Sequence, residues 1–157
     1  MNAYRLGKKQ FINDLSGTGA ALYGGRWNYP GYRVIYASES IPLAILEYIV
    51  KAGAVEDELS DLKIAFLNFA NDVSISEVDI QHLPENWNNY PAPEELKKIG
   101  TNWLLSVESL ILKIPAISAP ESCNLLINPI HPEFNKIELA KIIDYHADIR
   151  LDKKRTP

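Results

Sequence analysis

The sequence predicts a single α+β domain over residues 1–157. A chain of this length with 46% hydrophobic content is the size of one globular domain and can bury a substantial core. Six segments are rich in β-branched and aromatic residues, and two others carry apolar residues at helical spacing. Because strands and helices do not alternate regularly, the pattern favours an α+β fold over a doubly wound parallel sheet.

The predicted strands are distributed along the whole chain. They are Ala3–Leu6, Arg33–Ala37, Leu62–Phe69, Leu112–Ser118, Asn124–Ile127 and Lys141–Tyr145. Prolines and polar residues cluster at residues 82–95 and 119–133, which we expect to form long loops inside the same domain.

The first predicted helix follows the second strand. Ser38 or Ser40 offers an N-cap hydroxyl, an apolar stripe recurs at helical spacing, and Gly53 is expected to end the helix. Glu47 lies on the flank of that stripe.

The second predicted helix covers about Asn102 to Ile111, with Gly100 just before it. Its apolar residues recur at helical spacing. They are Trp103, Leu104, Val107, Leu110 and Ile111.

Charge and composition argue against several classes of protein. The formal charge of −4 and the pI near 5.4 are unlike the basic excess of nucleic-acid-binding domains. The N-terminus lacks a signal-peptide core, and no apolar run approaches the roughly 20 residues that cross a bilayer. We therefore expect a cytoplasmic protein without direct nucleic-acid or membrane contacts.

The sequence predicts no metal site and no common nucleotide motif. His82, His131 and His146 are far apart, and Cys123 has no second thiol with which to bind a metal or form a disulfide. The motifs GxGxxG, GxxxxGK[ST] and GxSxG are absent.

The segment from Tyr23 to Glu47 carries the strongest functional signal. Paired glycines allow close backbone approach to a ligand, and Arg26 offers a planar fork of donors suited to phosphate. Tyr36 ends an apolar strand, and Glu47 lies on the following helix, where a carboxylate can stabilise a developing cation. Together these groups suit a phosphorylated sugar substrate.

Each group in that segment also has a purely structural interpretation. The glycines form a tight turn in which Arg26 pairs with a surface carboxylate, Tyr36 is a half-buried strand aromatic, and Glu47 is solvated. Trp27 is then a core residue.

A second segment of interest is Asn128-Pro129-Ile130-His131-Pro132. Prolines on both sides of His131 restrict the backbone and fix the ring. The alternative is that Asn128 and His131 only hydrogen-bond a loop as turn residues.

Taken in order, these motifs resemble the RES-domain toxins of bacterial toxin–antitoxin pairs, named for arginine, glutamate and serine residues. The resemblance implies a compact fold similar to ADP-ribosyltransferase toxins, with mixed or antiparallel sheets and flanking helices. It also implies an enzyme that consumes NAD as a substrate, without a cofactor, and a Xre-family helix-turn-helix antitoxin as partner. The matching positions are Tyr4-Arg5, Gly17 to Asn28, Tyr36-Ala37-Ser38, Leu46-Glu47, Gly100, Trp103, Ile127 to Phe134 and Asp148 to Leu151.

The resemblance assigns roles to individual residues. Arg26, Glu47 and Tyr36 occupy the catalytic positions of the family, and Ala116 stands where the family has its serine. The positions expected to bind NAD are Tyr4, Arg5, Gly25, Trp27, Asn28, Asn128 and His131.

Ala116 is the departure from the family pattern, which has Val-Pro-Ser where this chain has Ile114-Pro115-Ala116. Ser118 could substitute from the same face of an extended strand, the variant could be naturally weakened, or the serine could have been replaced by design. The resemblance implies cleavage of NAD by a glycohydrolase or phosphorylase. The alternatives are a protein ADP-ribosyltransferase and a catalytically silent antitoxin-binding module.

Overall fold

The computed structural model describes residues 1–52 and 59–151. In that part of the chain, seven strands form one sheet flanked by three α-helices, which confirms the α+β prediction. In chain order they are β1 (Asn2–Lys8), α1 (Thr18–Tyr23), β2 (Ile35–Ser38), α2 (Ile41–Ala52), β3 (Leu62–Phe69), β4 (Ile75–Glu77), α3 (Glu94–Ser106), β5 (Ile111–Pro115), β6 (Cys123–Ile127) and β7 (Ile137–Tyr145).

The sheet consists of two halves that meet at a narrow junction. The strand order is β4-β5-β6-β2-β1-β3-β7, antiparallel except for the parallel pair β4–β5. β1 pairs with β3 along its whole length, whereas β1 and β2 are in register only at Tyr4 and Ser38. The two central strands therefore separate beyond this junction.

Strand register decides which residues share a face of the sheet, because side chains alternate along each strand. Tyr36 and Ser38 are two residues apart on β2, and Tyr4 is opposite Ser38. These three side chains therefore lie on one face, called here the Tyr36 face. Ala37 and Arg5 belong to the opposite face.

Each face carries its own hydrophobic cluster. Fully burying an aliphatic or aromatic side chain contributes about 1.5–3 kcal/mol, so these clusters hold most of the fold's stability. The first contains Ala3, Ile35, Ala37, Leu67, Phe69, Leu110, Ile111, Leu125 and Ile127. The second, around the Tyr36 face, contains Trp27, Val34, Leu96, Trp103, Leu104, Leu112, Ile114 and Leu126.

Helix α3 packs directly against residues 27–29. A Cβ atom on Gly100 would lie 1.9 Å from the carbonyl oxygen of Trp27, so only glycine permits this contact. Next to it, the Tyr29 backbone N–H donates to Thr101 Oγ1 at 3.1 Å. The helix thereby fixes the position of residues 27–29.

The second helix lies earlier in the sequence than predicted. α3 begins at Glu94 and ends at Ser106, so Gly100 lies inside it, and Val107 adopts a left-handed backbone conformation that ends it. Glu94 and the next residue, also glutamate, supply the negative charge that favours a helix N-terminus. The last apolar residues assigned to this helix, Leu110 and Ile111, instead lead into and begin β5.

Other boundaries also differ from the sequence prediction. α1 and β4 were not predicted, β5 ends at Pro115, and β7 begins at Ile137. Ser40 rather than Ser38 caps α2, since its Oγ accepts from the Leu43 N–H. Gly53 lies outside the described residues. Across residues 1–52 and 59–151, no helix has the length and apolar character needed to cross a membrane.

Candidate functional site

Arg26 lies in a tight turn from Gly25 to Asn28, which is held by the hydroxyl of Tyr36. That hydroxyl accepts from the Trp27 N–H at 3.1 Å and donates to Asn28 Oδ1 at 2.8 Å. A Cβ on Gly25 would lie 2.5 Å from the same hydroxyl, so the turn needs glycine there. Burial raises the pKa of Tyr36, which keeps its hydroxyl protonated as a donor.

Asn28 completes the turn from inside the protein. It is fully buried, and its Nδ2 donates to the carbonyl oxygens of Ala20, Tyr29 and Tyr32. The Trp27 ring is 2% exposed and belongs to the second cluster. These contacts show how the turn is built, while the expected contact of both residues with NAD stays a prediction.

Arg26 projects from this turn and is half-buried. Its Nη1 donates to the Trp87 carbonyl at 3.0 Å and its Nη2 to the Asn89 carbonyl at 3.1 Å. A guanidinium has five N–H donors. The described residues accept hydrogen bonds from these two. Burial lowers the pKa of Arg26, and the Glu47 carboxylate opposes that shift.

Glu47 lies on α2, which packs against β1 and β2. Its Oε1 is buried and has no hydrogen-bond partner among the described residues. Its charge acts on Arg26, and Arg26 projects from the turn held by Tyr36. Arg26, Glu47 and Tyr36, predicted from sequence as the catalytic group, are therefore brought to one place.

Tyr4 and Arg5 point to opposite faces of the sheet. Tyr4 lies on the Tyr36 face, with its ring edge-to-face against Phe66 at 5.2 Å between centroids. Arg5 is in register with Ala65 on the other face, where its Nη1 donates to the Asp14 carbonyl at 2.8 Å. Tyr4 therefore shares the face of Tyr36 and Arg5 does not, and the expected contact of both with NAD stays a prediction.

Ala116 follows β5 on the Tyr36 face and is 6% exposed. Its N–H donates to the Ser122 carbonyl at 3.0 Å. The same-face argument for Ser118 was wrong, because β5 ends at Pro115 and residues 117–119 form bends.

Electrostatic coupling to Arg26 thus links a glutamate on α2 and a tyrosine on β2 to the arginine turn. A family model described as the RES domain matches residues 2–150. The chain belongs to the RES domain family. The resemblance drawn from its sequence motifs is therefore confirmed.

Curated relatives of this RES domain have nearly the same length. It is 35% identical to Toxin Res of Photorhabdus laumondii over 159 residues, covering 99% of each chain. It is 34% identical over 151 residues to the Prs ADP-ribosylating toxin of a Sphingobium species, covering 90% of this chain and 89% of that protein.

The fold itself has a solved counterpart. A chain in the crystal structure of the M. tuberculosis MbcT–MbcA toxin–antitoxin complex superposes with a TM-score of 0.77 at 18% identity, covering 92% of this chain and 84% of that one. This likeness supports the α+β architecture of the RES domain.

Asn128 and His131 lie at the other end of β6 from the junction. Asn128 is fully buried, donates from Nδ2 to the Leu104 carbonyl and accepts the Ile130 N–H. His131 Nδ1 accepts the Glu133 N–H at 3.1 Å, so both residues tie the loop to the fold. Their expected contact with NAD stays a prediction.

A cavity of about 370 Å³ lies at the end of the β3–β7 ribbon, lined by residues 68–70 and 135–138. None of the predicted site residues lines it, so its volume does not locate the site. In the described part of the chain, no group of three or more His, Cys, Asp or Glu side chains could hold a metal ion.

Sequence reasoning missed one polar pair on the Tyr36 face. Ser38 is 4% exposed, and its Oγ donates to Asn124 Oδ1 at 2.6 Å. The sequence indicates Ser38 as a possible helix cap and as part of the matching Tyr36-Ala37-Ser38 stretch, and Asn124 as the start of a strand, but it does not pair them. A serine alternating with Tyr36 on the same strand was the signal that could have pointed to it.

Proposed function

We propose that this RES-domain protein is the toxin of a toxin–antitoxin pair and that it depletes NAD by cleaving the bond between nicotinamide and ribose. The observation that carries the proposal is the buried Oε1 of Glu47, which has no partner among the described residues, on a carboxylate that acts electrostatically on the Arg26 guanidinium. Leaving a buried polar atom without a partner costs about 1–3 kcal/mol. A substrate that develops positive charge against Glu47 would offset this cost in the transition state.

The proposed reaction breaks the glycosidic C–N bond, and its electron pair leaves with nicotinamide as a neutral molecule. Positive charge then spreads over the ribose, where the Glu47 carboxylate stabilises it. Water attacks the sugar carbon and loses a proton in a glycohydrolase, and inorganic phosphate attacks it in a phosphorylase. The remaining donors of Arg26 would hold the pyrophosphate.

Ala116 bears on how fast this reaction runs. It lies on the Tyr36 face but carries no hydroxyl, so an interaction that serine would make with Glu47 or a ribose hydroxyl is missing. We expect slow turnover in the sequence as it stands and faster turnover in Ala116→Ser.

The test is an assay of NAD consumption with product identification, with and without inorganic phosphate. It uses the protein as it stands and the Ala116→Ser variant, and each is also given Glu47→Gln. Glu138→Gln on β7 is exposed and serves as the matched control. We expect Glu47→Gln to abolish nicotinamide release and Glu138→Gln to leave it unchanged. Full activity in the Glu47→Gln variant would remove Glu47 from the mechanism.

Protein ADP-ribosylation is the second candidate, because the Sphingobium relative is named a Prs ADP-ribosylating toxin. In that case nicotinamide release would require a protein acceptor, and ADP-ribose would become covalently attached to it. Mass measurement of candidate acceptor proteins after incubation with NAD separates this reaction from hydrolysis and phosphorolysis.

The proposed partner is a Xre-family antitoxin, with the complex formed in the cytoplasm. The structural counterpart in a toxin–antitoxin complex supports an antitoxin of some kind. A catalytically silent module that only binds its antitoxin is the remaining alternative, and Ala116 favours it. Co-purification with the neighbouring gene product, followed by the NAD assay on the freed toxin, distinguishes the two.

A further inference from the structure

Ser38 and Asn124 form a hydrogen-bonded pair at the junction of the two halves of the sheet. Ser38 is in register with Tyr4 on β1 and with Asn124 on β6. Its hydroxyl is buried and donates to Asn124 Oδ1 at 2.6 Å. The pair therefore lies where β1 and β2 begin to separate.

The bond from Ser38 determines which end of the Asn124 amide stays available. Since Oδ1 accepts from Ser38, the two N–H donors of Nδ2 point away from it. No acceptor for these donors is found among the described residues, and Asn124 is half-buried. The amide thus presents donors to the Tyr36 face.

The surroundings of this amide are those of the proposed substrate site. Tyr36 is two residues before Ser38 on the same face, about 6–7 Å along the strand. Tyr4 is the cross-strand neighbour of Ser38, and Glu47 projects from α2, which packs on β1 and β2. Pro115 on β5 is opposite Cys123 on β6. Ala116, the next residue, is therefore a near neighbour of Asn124 across these two strands.

We propose that Asn124 binds the substrate, donating from Nδ2 to a neutral oxygen of its ribosyl–nicotinamide half, and that Ser38 is the residue that positions the amide. The inference rests on the proposed NAD-cleaving function and adds a donor to the residues assigned from the sequence. The oxygen is a ribose hydroxyl or the carboxamide carbonyl. Asn124 thereby supplies a donor on the face where Ala116 has none.

The test compares variants that remove the donors in two different ways. Asn124→Asp keeps an acceptor for Ser38 but removes both N–H groups, and Asn124→Leu removes them without adding charge. Asn102→Asp and Asn102→Leu on the exposed side of α3 are the matched controls. Ser38→Ala removes the positioning hydroxyl, whereas Ser38→Thr keeps one.

The readouts are NAD affinity by calorimetry, the steady-state constants of the Ala116→Ser form, and the melting temperature of each variant. We expect both Asn124 variants to weaken NAD binding about tenfold, the effect of one lost hydrogen bond to substrate. Ser38→Ala should weaken it less, and Ser38→Thr should recover it. ADP-ribose lacks the carboxamide, so its binding identifies the oxygen. If the Asn124 variants also bind ADP-ribose more weakly, the oxygen is a ribose hydroxyl. If only NAD binding weakens, it is the carboxamide carbonyl.

Three outcomes would contradict the inference, and they are distinguishable. NAD affinity within twofold of the parent in both Asn124 variants, with NAD still bound and cleaved, would overturn the role of Asn124 and leave the proposed function intact. If neither the parent nor Ala116→Ser binds or cleaves NAD, the proposed function fails and this inference fails with it. Equal losses in the Asn102 controls would also overturn it.

Discussion

Gly100→Ala tests how the fold positions the arginine turn. A Cβ at this position would lie 1.9 Å from the Trp27 carbonyl oxygen and 2.9 Å from its carbonyl carbon. Contacts below 3.0 Å are essentially never seen for real Cβ atoms, so helix and turn must move apart by about 1.1 Å. Backbone lies on both sides of the contact, and no side-chain rotation can relieve it.

The expected cost is the difference between two opposing effects. Alanine is about 1 kcal/mol better than glycine inside a helix. Forcing atoms into a packed interior costs about 1–3 kcal/mol and sometimes more, and separation would also strain the Tyr29–Thr101 hydrogen bond, worth about 1 kcal/mol. We therefore expect a net loss of about 1–3 kcal/mol in the free energy of unfolding, or a melting temperature about 2–12 °C lower.

The assay is urea denaturation of Gly100→Ala, with Gly19→Ala as the matched control. Gly19 is also helical, but a Cβ there meets nothing within 4 Å, so this control should be neutral or slightly stabilising. Gly100→Ala should also lower substrate affinity, because the displaced turn carries Arg26. A Gly100→Ala variant within 0.5 kcal/mol of the parent would refute the reasoning.

Three further predictions concern single side chains. Tyr36→Phe leaves the buried partners Trp27 N–H and Asn28 Oδ1 unpaired, and should cost about 1–3 kcal/mol in urea denaturation. Glu47→Met removes a buried oxygen that has no partner among the described residues, and should raise the unfolding free energy by about 1 kcal/mol while abolishing NAD cleavage. Glu133→Gln should destabilise the protein at neutral pH, with a difference that shrinks as the pH falls from about 4.5 towards 2 in denaturation at several pH values. Hydrogen bonds lower the Glu133 pKa from 4.5 to about 2, so acid favours the unfolded state, which binds the proton more readily.

Each of these predictions has an outcome that contradicts it. An unchanged unfolding free energy in Tyr36→Phe would mean that the turn does not depend on the hydroxyl. A less stable Glu47→Met would show that the carboxylate has a partner in solution. If the difference in unfolding free energy between the parent and Glu133→Gln is constant from pH 7 to pH 2.5, this carboxylate does not contribute to acid unfolding.

The sequence could predict the fold class and most of the strands because their signals are local. β3 was predicted at its observed bounds, Leu62–Phe69, since its apolar residues begin directly after Asp61 and end just before the turn residues Asn71 and Asp72. β4 was missed because a three-residue strand at the sheet edge has too few residues to form a pattern. The second helix was displaced because Gly100 was taken as a boundary, whereas its absent side chain serves a contact with Trp27.

The candidate site divides in the same way. Arg26, Tyr36 and Glu47 could be proposed from sequence because they fall within one short segment between a turn, a strand and a helix. Ser38 and Asn124 could not, since they are 86 residues apart and only the β2–β6 register brings them together.

The sequence by itself determined the α+β class, the RES resemblance and the identity of the arginine, tyrosine and glutamate. Only the tertiary structure decided that Tyr4 rather than Arg5 shares the face of Tyr36, that Tyr36 holds the turn containing Arg26, and that Glu47 has a buried oxygen without a partner among the described residues. The physical reason is that residue type and local periodicity are written along the chain, whereas register, burial and hydrogen-bond partners depend on segments that meet only when the sheet forms.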